Sequence, residues 1–139
     1  QQQQQAVAVA VATNPKEEWK SLAPMTSFRA RAGGILIYDQ QFLVIGGQDE
    51  TNKLLSSCEY YDTKNTETWK SLPINMPTGR ISFGVAKVDN NVYVMGGRVG
   101  SYIGSSSIGS DLISIDVSGN DLSTLSAANK WKTLAPMKH

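Results

Sequence analysis

The feature that most constrains this fold is a sequence that repeats with a spacing of 50 residues between equivalent glycines, Gly46 and Gly96. An apolar segment ends in a glycine pair at Leu43–Gly47, and the same pattern returns at Val92–Gly97. A tryptophan followed by Lys, by Ser or Thr and by Leu occurs at Trp19, Trp69 and Trp131. Repeated units of this length stack on one another, because a single unit cannot bury its own apolar faces.

Each complete repeat divides into four segments with strand character, separated by turns. In the first repeat they are Gly33–Tyr38, Gln41–Ile45, Ser57–Tyr61 and Thr68–Leu72. In the second they are Ser82–Val88, Asn91–Met95, Asp111–Val117 and Lys130–Leu134. No segment keeps the periodicity and caps of an amphipathic helix. The sequence therefore predicts an all-β fold made of four-stranded antiparallel sheets.

The order of the motifs resembles the kelch motif. A glycine pair after an apolar strand is followed by Tyr61-Asp62, then by Trp69, a Leu-x-x-Met-like segment and Arg80. The second repeat has Ile115-Asp116 where Tyr-Asp is usual, and the N-terminal half repeat has Val11-Ala12 there. The resemblance covers nearly the whole chain and implies a kelch-type β-propeller, in which each four-stranded sheet is one blade. We expect an incomplete ring of half a blade plus two blades.

This reading divides the chain into five parts. We predict a disordered glutamine-rich tail at 1–6, a half blade containing the outer two strands at 7–22, kelch blades at 29–72 and 80–134, and the start of a connector to a missing blade at 135–139. The remaining blades would come from the same longer chain or from other copies. We assign an architectural role to the repeated residues Gly46, Gly47, Gly96, Gly97, Tyr61, Trp19, Trp69 and Trp131.

Composition argues against several functions. The 13 basic and 12 acidic residues leave a net charge of +1, so we expect neither nucleic acid nor a membrane as a partner. The only cysteine is Cys58 and the only histidine is His139, so we expect no metal, no cofactor and no catalytic residues. A single cysteine favours a reducing compartment, and we predict a cytoplasmic location. The Ala-Val stretch at Ala6–Ala12 lacks the basic region of a secretion signal.

The loops on one face are the predicted binding site. In a four-stranded antiparallel blade, the loop between the second and third strands lies on the same face as the connector to the next blade. This face is built from the segments Ala23–Arg29, Gln48–Ser56, Pro73–Arg80, Arg98–Gly109 and Ala135 onward. We predict that it binds an acidic or polar segment of another protein through Arg29, Arg31, Gln48, Asp49, Arg80, Arg98, Tyr102 and Ile103.

Two chemical properties support this choice of residues. The planar guanidinium group of arginine pairs bidentately with carboxylates, and arginine is favoured at binding hot spots. Tyr102 and Ile103 add apolar contact in a long Gly/Ser-rich loop; Ser118–Asn129 is a second long loop of the kind where function tends to lie. For Arg29 and Arg80, which precede an innermost strand, an alternative is that their side chains bond to loop carbonyls.

The resemblance implies a non-catalytic protein-interaction module, a scaffold or substrate-recruiting part of a larger propeller. Two alternatives remain open. Some kelch-like propellers are sugar enzymes, so an epimerase or mutarotase-like activity is possible if further blades supply the arginine and acidic residues. The chain could also be a structural subunit of a large assembly whose partners cover its exposed blade edges.

Overall fold

Strands and two short 3-10 turns make up the structure, a computed structural model that describes residues 17–138. In chain order the strands are β1 (Gly33–Ile37), β2 (Gln41–Ile45), β3 (Cys58–Asp62), β4 (Asn65–Ser71), β5 (Arg80–Ile81), β6 (Gly84–Val88), β7 (Asn91–Met95), β8 (Arg98–Val99), β9 (Ser107–Ile108), β10 (Leu112–Asp116) and β11 (Lys132–Thr133). The 3-10 turns are Ile103–Ser105 and Leu122–Thr124.

The strands form two four-stranded antiparallel sheets and one small sheet. Blade 1 has the order β1-β2-β3-β4, and blade 2 has the order β6-β7-β10-β11. The small sheet has the order β5-β8-β9 and lies beyond the glycine pair of blade 2. The predicted all-β fold of four-stranded antiparallel blades is thereby confirmed, and the blades between residues 17 and 138 do not close a ring.

The predicted half blade is not visible as strands in the described part of the chain. Residues 17–25 adopt no strand, although Glu17–Leu22 was expected to be the outermost one. Trp19 is completely exposed, at 103% of its reference area, so the described residues do not show the packing expected for it, and its architectural role stays a prediction. An outermost strand takes its backbone hydrogen bonds from one inner neighbour, and no strand of the described residues pairs with residues 17–22. The predicted neighbour, Val7–Ala12, lies outside the described residues.

The other two tryptophans of the motif are packed as architectural residues. Trp69 contacts the Tyr61 ring with centroids 5.2 Å apart, and its indole N–H donates a 2.8 Å hydrogen bond to the Ala23 carbonyl. Trp131 is buried in the core at the corresponding position of blade 2. Both tryptophans therefore pack against other residues of the structure, as expected for architectural residues.

Side-chain alternation along the second strand of each blade creates the core. On β2, Leu43 and Ile45 are fully buried, while Phe42, which precedes Leu43, is 43% exposed. On β7, Val92 and Val94 are fully buried. Because alternate residues of a strand point to opposite faces, one face of each sheet packs against the other blade. The inner strands β1 and β6 lie side by side at this interface.

The glycine pair allows blade 1 to approach the next blade closely. Gly46 and Gly47 have φ angles of 62° and 100°. A Cβ on Gly46 would lie 2.8 Å from the Arg80 carbonyl oxygen, and the Gly47 N–H donates a 2.9 Å hydrogen bond to that same oxygen. Since Arg80 lies in β5, which leads into blade 2, the repeated glycine pair is a contact between blades.

The long loop before β11 has a packing role. Leu122 and Leu125 from this loop are buried in the core between the blades. The buried side chain of Gln41 accepts a 2.8 Å hydrogen bond from the Leu122 N–H and donates one of 2.9 Å to Asp121. The insertion Ser118–Asn129 therefore closes one end of the interface between the blades, although its length had suggested a functional loop.

Candidate binding face

Loops from both blades come together on one side of the molecule. We call the surface formed by residues 48–56 and 98–109 the loop face. The Leu54 N–H donates a 2.8 Å hydrogen bond to the Ser101 carbonyl, and the Ile103 N–H donates one of 3.0 Å to the Asn52 carbonyl. Backbone hydrogen bonds between two loops restrict the motion of both, so the loop face is a connected surface that spans the two blades.

The second of these loops contains a short hairpin that the sequence did not indicate. Strands β8 and β9 pair in register, with Arg98 opposite Ile108 and Val99 opposite Ser107. Strand β5 pairs with the other edge of β8, which ties the hairpin to the connector between the blades. Serine and glycine have little strand propensity. The pairing arises because the loop folds back so that β9 lies along β8.

Arg29 is held inside blade 1. Its guanidinium group donates through Nε to Glu59 at 2.8 Å, through Nη1 to the carbonyls of Gly46 and Ser57 at 2.9 and 2.8 Å, and through Nη2 to the Ser57 hydroxyl at 2.8 Å. The side chains of Arg29 and Glu59 are each 1% exposed. The charge of Arg29 is therefore neutralised within the chain, and its hydrogen bonds fix the end of β2 to the start of β3.

Arg80 repeats this arrangement in blade 2 with a different acid. Its Nη atoms donate to the two carboxylate oxygens of Asp111 at 2.8 and 3.2 Å, and Nη1 also reaches the Gly96 carbonyl at 3.2 Å. Strand register places Ile113 where blade 1 has Glu59. Because isoleucine offers no acceptor there, Arg80 Nε has no hydrogen-bond partner among the described residues.

The side chains of Arg29 and Arg80 donate hydrogen bonds to loop carbonyls. This is the alternative to partner binding that the sequence had left open for these two residues. Glu59 and Asp111 were not recognised as their partners from the sequence. Glu59 lies within β3, whereas Asp111 lies just before β10, so the two acids are not at equivalent positions and the repeat itself does not reveal them. The only sequence feature that indicated a shared role for the two arginines was their position, because Arg29 and Arg80 each lie four residues before the first strand of their blade.

The buried Glu59 and the partly exposed Asp111 are both kept ionised by their partners. Burial favours the protonated form of Glu59, but hydrogen bonds from the Thr26 hydroxyl at 2.6 Å, from Arg29 and from the Thr26 N–H at 2.7 Å outweigh it and lower the pKa of this carboxyl below 4.5. The hydrogen bonds from Arg80 lower the pKa of Asp111 below 3.8, against a smaller opposing effect of burial. Each acid thus stabilises the fold as a carboxylate.

We expect the protein to lose stability in acid through these two groups. A carboxylate with a lowered folded-state pKa contributes stability above its ordinary pKa, and this contribution is lost as the pH falls through the folded-state value. Glu59→Gln should be less stable than the wild type at pH 7, and it should lose less free energy of unfolding between neutral and acidic pH. Urea titrations across this range measure both effects. Glu50→Gln, at an exposed position, should keep the wild-type pH profile; a wild-type profile for Glu59→Gln would contradict the prediction.

Three of the other predicted contact residues, Arg31, Arg98 and Tyr102, are exposed on or beside the loop face. Arg98 is exposed, and the Ser106 hydroxyl and carbonyl accept hydrogen bonds from its Nε and Nη2 at 3.0 and 3.3 Å. In the same loop Tyr102 is 52% exposed and Ile103 is partly buried. Arg31 is exposed at the start of blade 1, with a φ angle of 57°. The structure therefore leaves two of the four arginines exposed to solvent.

Gln48 and Asp49 shape the first loop. The Asp49 carboxylate accepts hydrogen bonds from the Thr51 N–H at 2.9 Å, the Thr51 hydroxyl at 2.8 Å and the Lys53 N–H at 3.0 Å. The bond from the Thr51 hydroxyl is the main reason that the pKa of Asp49 lies below its ordinary value. The Gln48 side chain donates to Asn52 at 3.3 Å. These contacts hold the loop in a tight turn.

The described residues contain neither a metal-binding cluster nor a membrane-spanning helix. Between residues 17 and 138 there is no group of three or more His, Cys, Asp or Glu side chains able to hold a metal ion. Within the same range, no helix is both long and apolar enough to cross a membrane. Burial raises the pKa of the Cys58 thiol to about 12, so this cysteine packs as a small apolar residue.

Comparison with known proteins agrees with the geometry of the two blades. Residues 31–76, which contain all four strands of blade 1, match the family model for the kelch motif. The chain is 36% identical over 77 residues to Kelch repeat and BTB domain-containing protein 2 of horsepox virus. It is 31% identical over 81 residues to Beta-scruin of Limulus polyphemus, and 33% identical over 85 residues to Kelch-like protein 40 of Xenopus tropicalis.

These matches cover much of this chain and little of the relatives. They include 55%, 58% and 60% of this chain, in the order given above, but only 13%, 8% and 13% of the relatives. The similarity is therefore confined to a short segment of each relative. Together with the two four-stranded blades, it identifies a kelch motif at residues 31–76 and shows that this chain is similar to kelch-repeat proteins.

Proposed function

We propose that this chain is a non-catalytic protein-interaction module within a larger propeller, and that its loop face binds an acidic or polar segment of a partner protein. The observation that carries the proposal is the exposed guanidinium group of Arg98, which Ser106 orients in the same loop that exposes Tyr102. A charged group and an aromatic side chain held on a restrained surface are the usual components of a binding hot spot.

The restraint of the loop face supports binding because less conformational entropy is lost when a partner arrives. The backbone bonds between residues 52–54 and 101–103 join the loops of two blades before any partner is present. Ser106 holds Arg98 through two hydrogen bonds, so the orientation of its side chain is already selected. A partner segment would therefore meet a surface close to its bound form.

The distribution of charge indicates the chemistry of the partner. Arg29 and Arg80 are neutralised by internal acids, and we give them a supporting role beneath the contact. Arg31 and Arg98 remain available to pair with carboxylates, while Tyr102 and Ile103 offer apolar area. We place Gln48 and Asp49 at the edge of the contact. A segment with acidic side chains and one apolar side chain fits this combination.

Selection from a phage-displayed library of short random peptides tests this proposal. The library is panned against the wild-type protein, an enriched peptide is synthesised, and its Kd is measured by fluorescence anisotropy. We expect enrichment of Asp and Glu beside an apolar residue. The double variant Arg98→Glu with Tyr102→Ala should raise the Kd about tenfold or more, the size of effect expected when hot-spot residues are lost.

Lys64→Glu provides the matched control. Lys64 is exposed in the turn between β3 and β4, which lies at the opposite end of the blade from the loop face. The same charge reversal there should leave both the Kd and the melting temperature unchanged. Equal loss of affinity in Lys64→Glu would indicate non-specific charge attraction, and an unchanged Kd in the double variant would overturn the proposed binding face.

A further inference from the structure

The two loops of the loop face meet at one pair of opposed residues, which we call the seam. Lys53 from the loop of blade 1 lies opposite Tyr102 from the loop of blade 2, in an antiparallel bridge. The two backbone hydrogen bonds between the loops lie on either side of this pair, at Asn52 and at Leu54. Lys53 and Tyr102 are therefore a non-hydrogen-bonded pair, the kind in which opposite side chains come closest.

The backbone of Lys53 is fixed within its own loop. Its N–H donates a 3.0 Å hydrogen bond to the Asp49 carboxylate, and its carbonyl accepts one of 3.0 Å from the Asp49 N–H. Asn52, just before it, turns the chain with a φ angle of 65°. Opposite residues of an antiparallel pair place their side chains on the same side. The backbone therefore directs the Lys53 side chain to the side of the seam that carries the Tyr102 ring.

The charge of Lys53 is available to a partner. Lys53 is exposed, and it takes part in neither of the two ion pairs found among residues 17–138. The acids of its own loop are Asp49 and Glu50. Asp49 already accepts three hydrogen bonds, and its pKa is lowered mainly by the Thr51 hydroxyl and least by the charge of Lys53. The ammonium group is therefore only weakly compensated within the chain.

A second cation lies at the other end of the short turn that Tyr102 begins. Tyr102 directly precedes the 3-10 turn Ile103–Ser105, and Ser106 directly follows it. Ser106 is the residue that accepts the hydrogen bonds from Arg98. This turn therefore has a cation from blade 1 at one end, Lys53, and a cation from blade 2 at the other, Arg98. The half-exposed ring of Tyr102 belongs to the same turn.

On the basis of the function proposed for the loop face, we propose that the partner segment crosses the seam and is bound by one cation from each blade. Lys53 pairs with one acidic side chain of the segment, and Arg98 pairs with a second. An apolar side chain between the two acids packs on the Tyr102 ring. Lys53, which the sequence did not single out, is thereby a specificity residue, and the partner carries an acidic, apolar, acidic order of side chains.

The two cations differ in how strictly they select an acid. The guanidinium group of Arg98 is planar and is oriented by its two hydrogen bonds to Ser106, so it favours a carboxylate that approaches in its plane. The ammonium group of Lys53 is a compact charge on a flexible stem and pairs with a carboxylate from several directions. We therefore expect the acidic position opposite Arg98 to vary less among bound segments than the position opposite Lys53.

Double-mutant cycles with a peptide enriched on the wild-type protein test this arrangement. Each acidic residue of the peptide is replaced in turn by its amide, and the Kd is measured by fluorescence anisotropy at low salt, where exposed charges are least screened. Lys53→Gln should raise the Kd about two- to fivefold, the range expected for an exposed ion pair. One acid of the peptide should lose its effect on the Kd in Lys53→Gln, and a different acid should lose its effect in Arg98→Gln.

Two control variants accompany the cycles. Lys53→Arg keeps the charge and should keep most of the affinity, whereas Lys64→Gln removes an exposed charge far from the seam and should leave the Kd unchanged. An unchanged Kd for Lys53→Gln, or one peptide acid coupled to both cations, would overturn the two-blade contact and leave the binding face itself intact. If Arg98→Glu with Tyr102→Ala also bound normally, or if the library gave no peptide, the proposed binding face would fail as well.

Discussion

Replacement of Arg29 by alanine should lower the free energy of unfolding by about 3–5 kcal/mol, the cost of breaking a buried ion pair by removing one partner. Glu59 would remain 1% exposed without its cationic partner, held only by Thr26. The carbonyls of Gly46 and Ser57 would also lose the donor that now reaches both. Urea unfolding at neutral pH, followed by circular dichroism, measures the loss.

Two further variants distinguish this mechanism from a general effect of losing an arginine. Arg31→Ala makes the same change two residues away at an exposed position, and it should alter stability by no more than about 0.5 kcal/mol. The double variant Arg29→Met with Glu59→Leu removes both charges and should recover part of the loss, because no unpaired charge stays buried. Equal losses for Arg29→Ala and Arg31→Ala would contradict the proposed role of the ion pair.

Replacement of Gly97 by alanine should be the second severe change, with a loss of about 1–3 kcal/mol from backbone strain alone. Gly97 has a φ angle of 82°, a conformation that residues with a Cβ rarely adopt. The new Cβ would overlap the Ile81 carbonyl and would lie 2.9 Å from the Phe83 Cβ. Because Ile81 belongs to β5, the small sheet under the loop face would have to move. Thermal and urea unfolding report the change.

Gly104→Ala is the control for this substitution. Gly104 lies in the 3-10 turn of the same loop, and a Cβ there would have no atom within 4 Å. Alanine at a compatible position reduces the entropy of the unfolded chain, so we expect unchanged stability or a gain of about 0.4–1 kcal/mol. If Gly97→Ala were as stable as Gly104→Ala, the close approach of the glycine pair to its neighbouring backbone would not be essential to the fold.

The local sequence pattern was sufficient to predict the strands and turns that depend on interactions between residues close together in the sequence. The bounds of β2 and β7 follow from apolar runs that end in glycine pairs, and the turn between β1 and β2 follows from a polar pair. Repetition made each of these assignments stronger, because the same pattern predicted the same element twice. Topology then placed the loops of residues 48–56 and 98–109 on one face, where they lie in the structure.

The same local motif did not predict how each copy is packed. Trp19, Trp69 and Trp131 share a motif, yet Trp19 is exposed while Trp131 is buried. Burial depends on which strands lie beside the tryptophan, and that is a property of the assembled sheet. The loop Ser118–Asn129 is a similar case, since only the position of its two leucines between the blades reveals its packing role.

The sequence by itself determined the repeat, the strand order within each blade and the face on which the loops meet, because these follow from alternation, turn residues and antiparallel topology. Only the tertiary structure decided which arginines are available to a partner. Arg29 and Arg80 were predicted to contact a partner as Arg98 was, but acids from distant positions, Glu59 and Asp111, pair with the first two. Charge pairing of this kind depends on distances between strands, and a linear pattern of residues does not contain those distances.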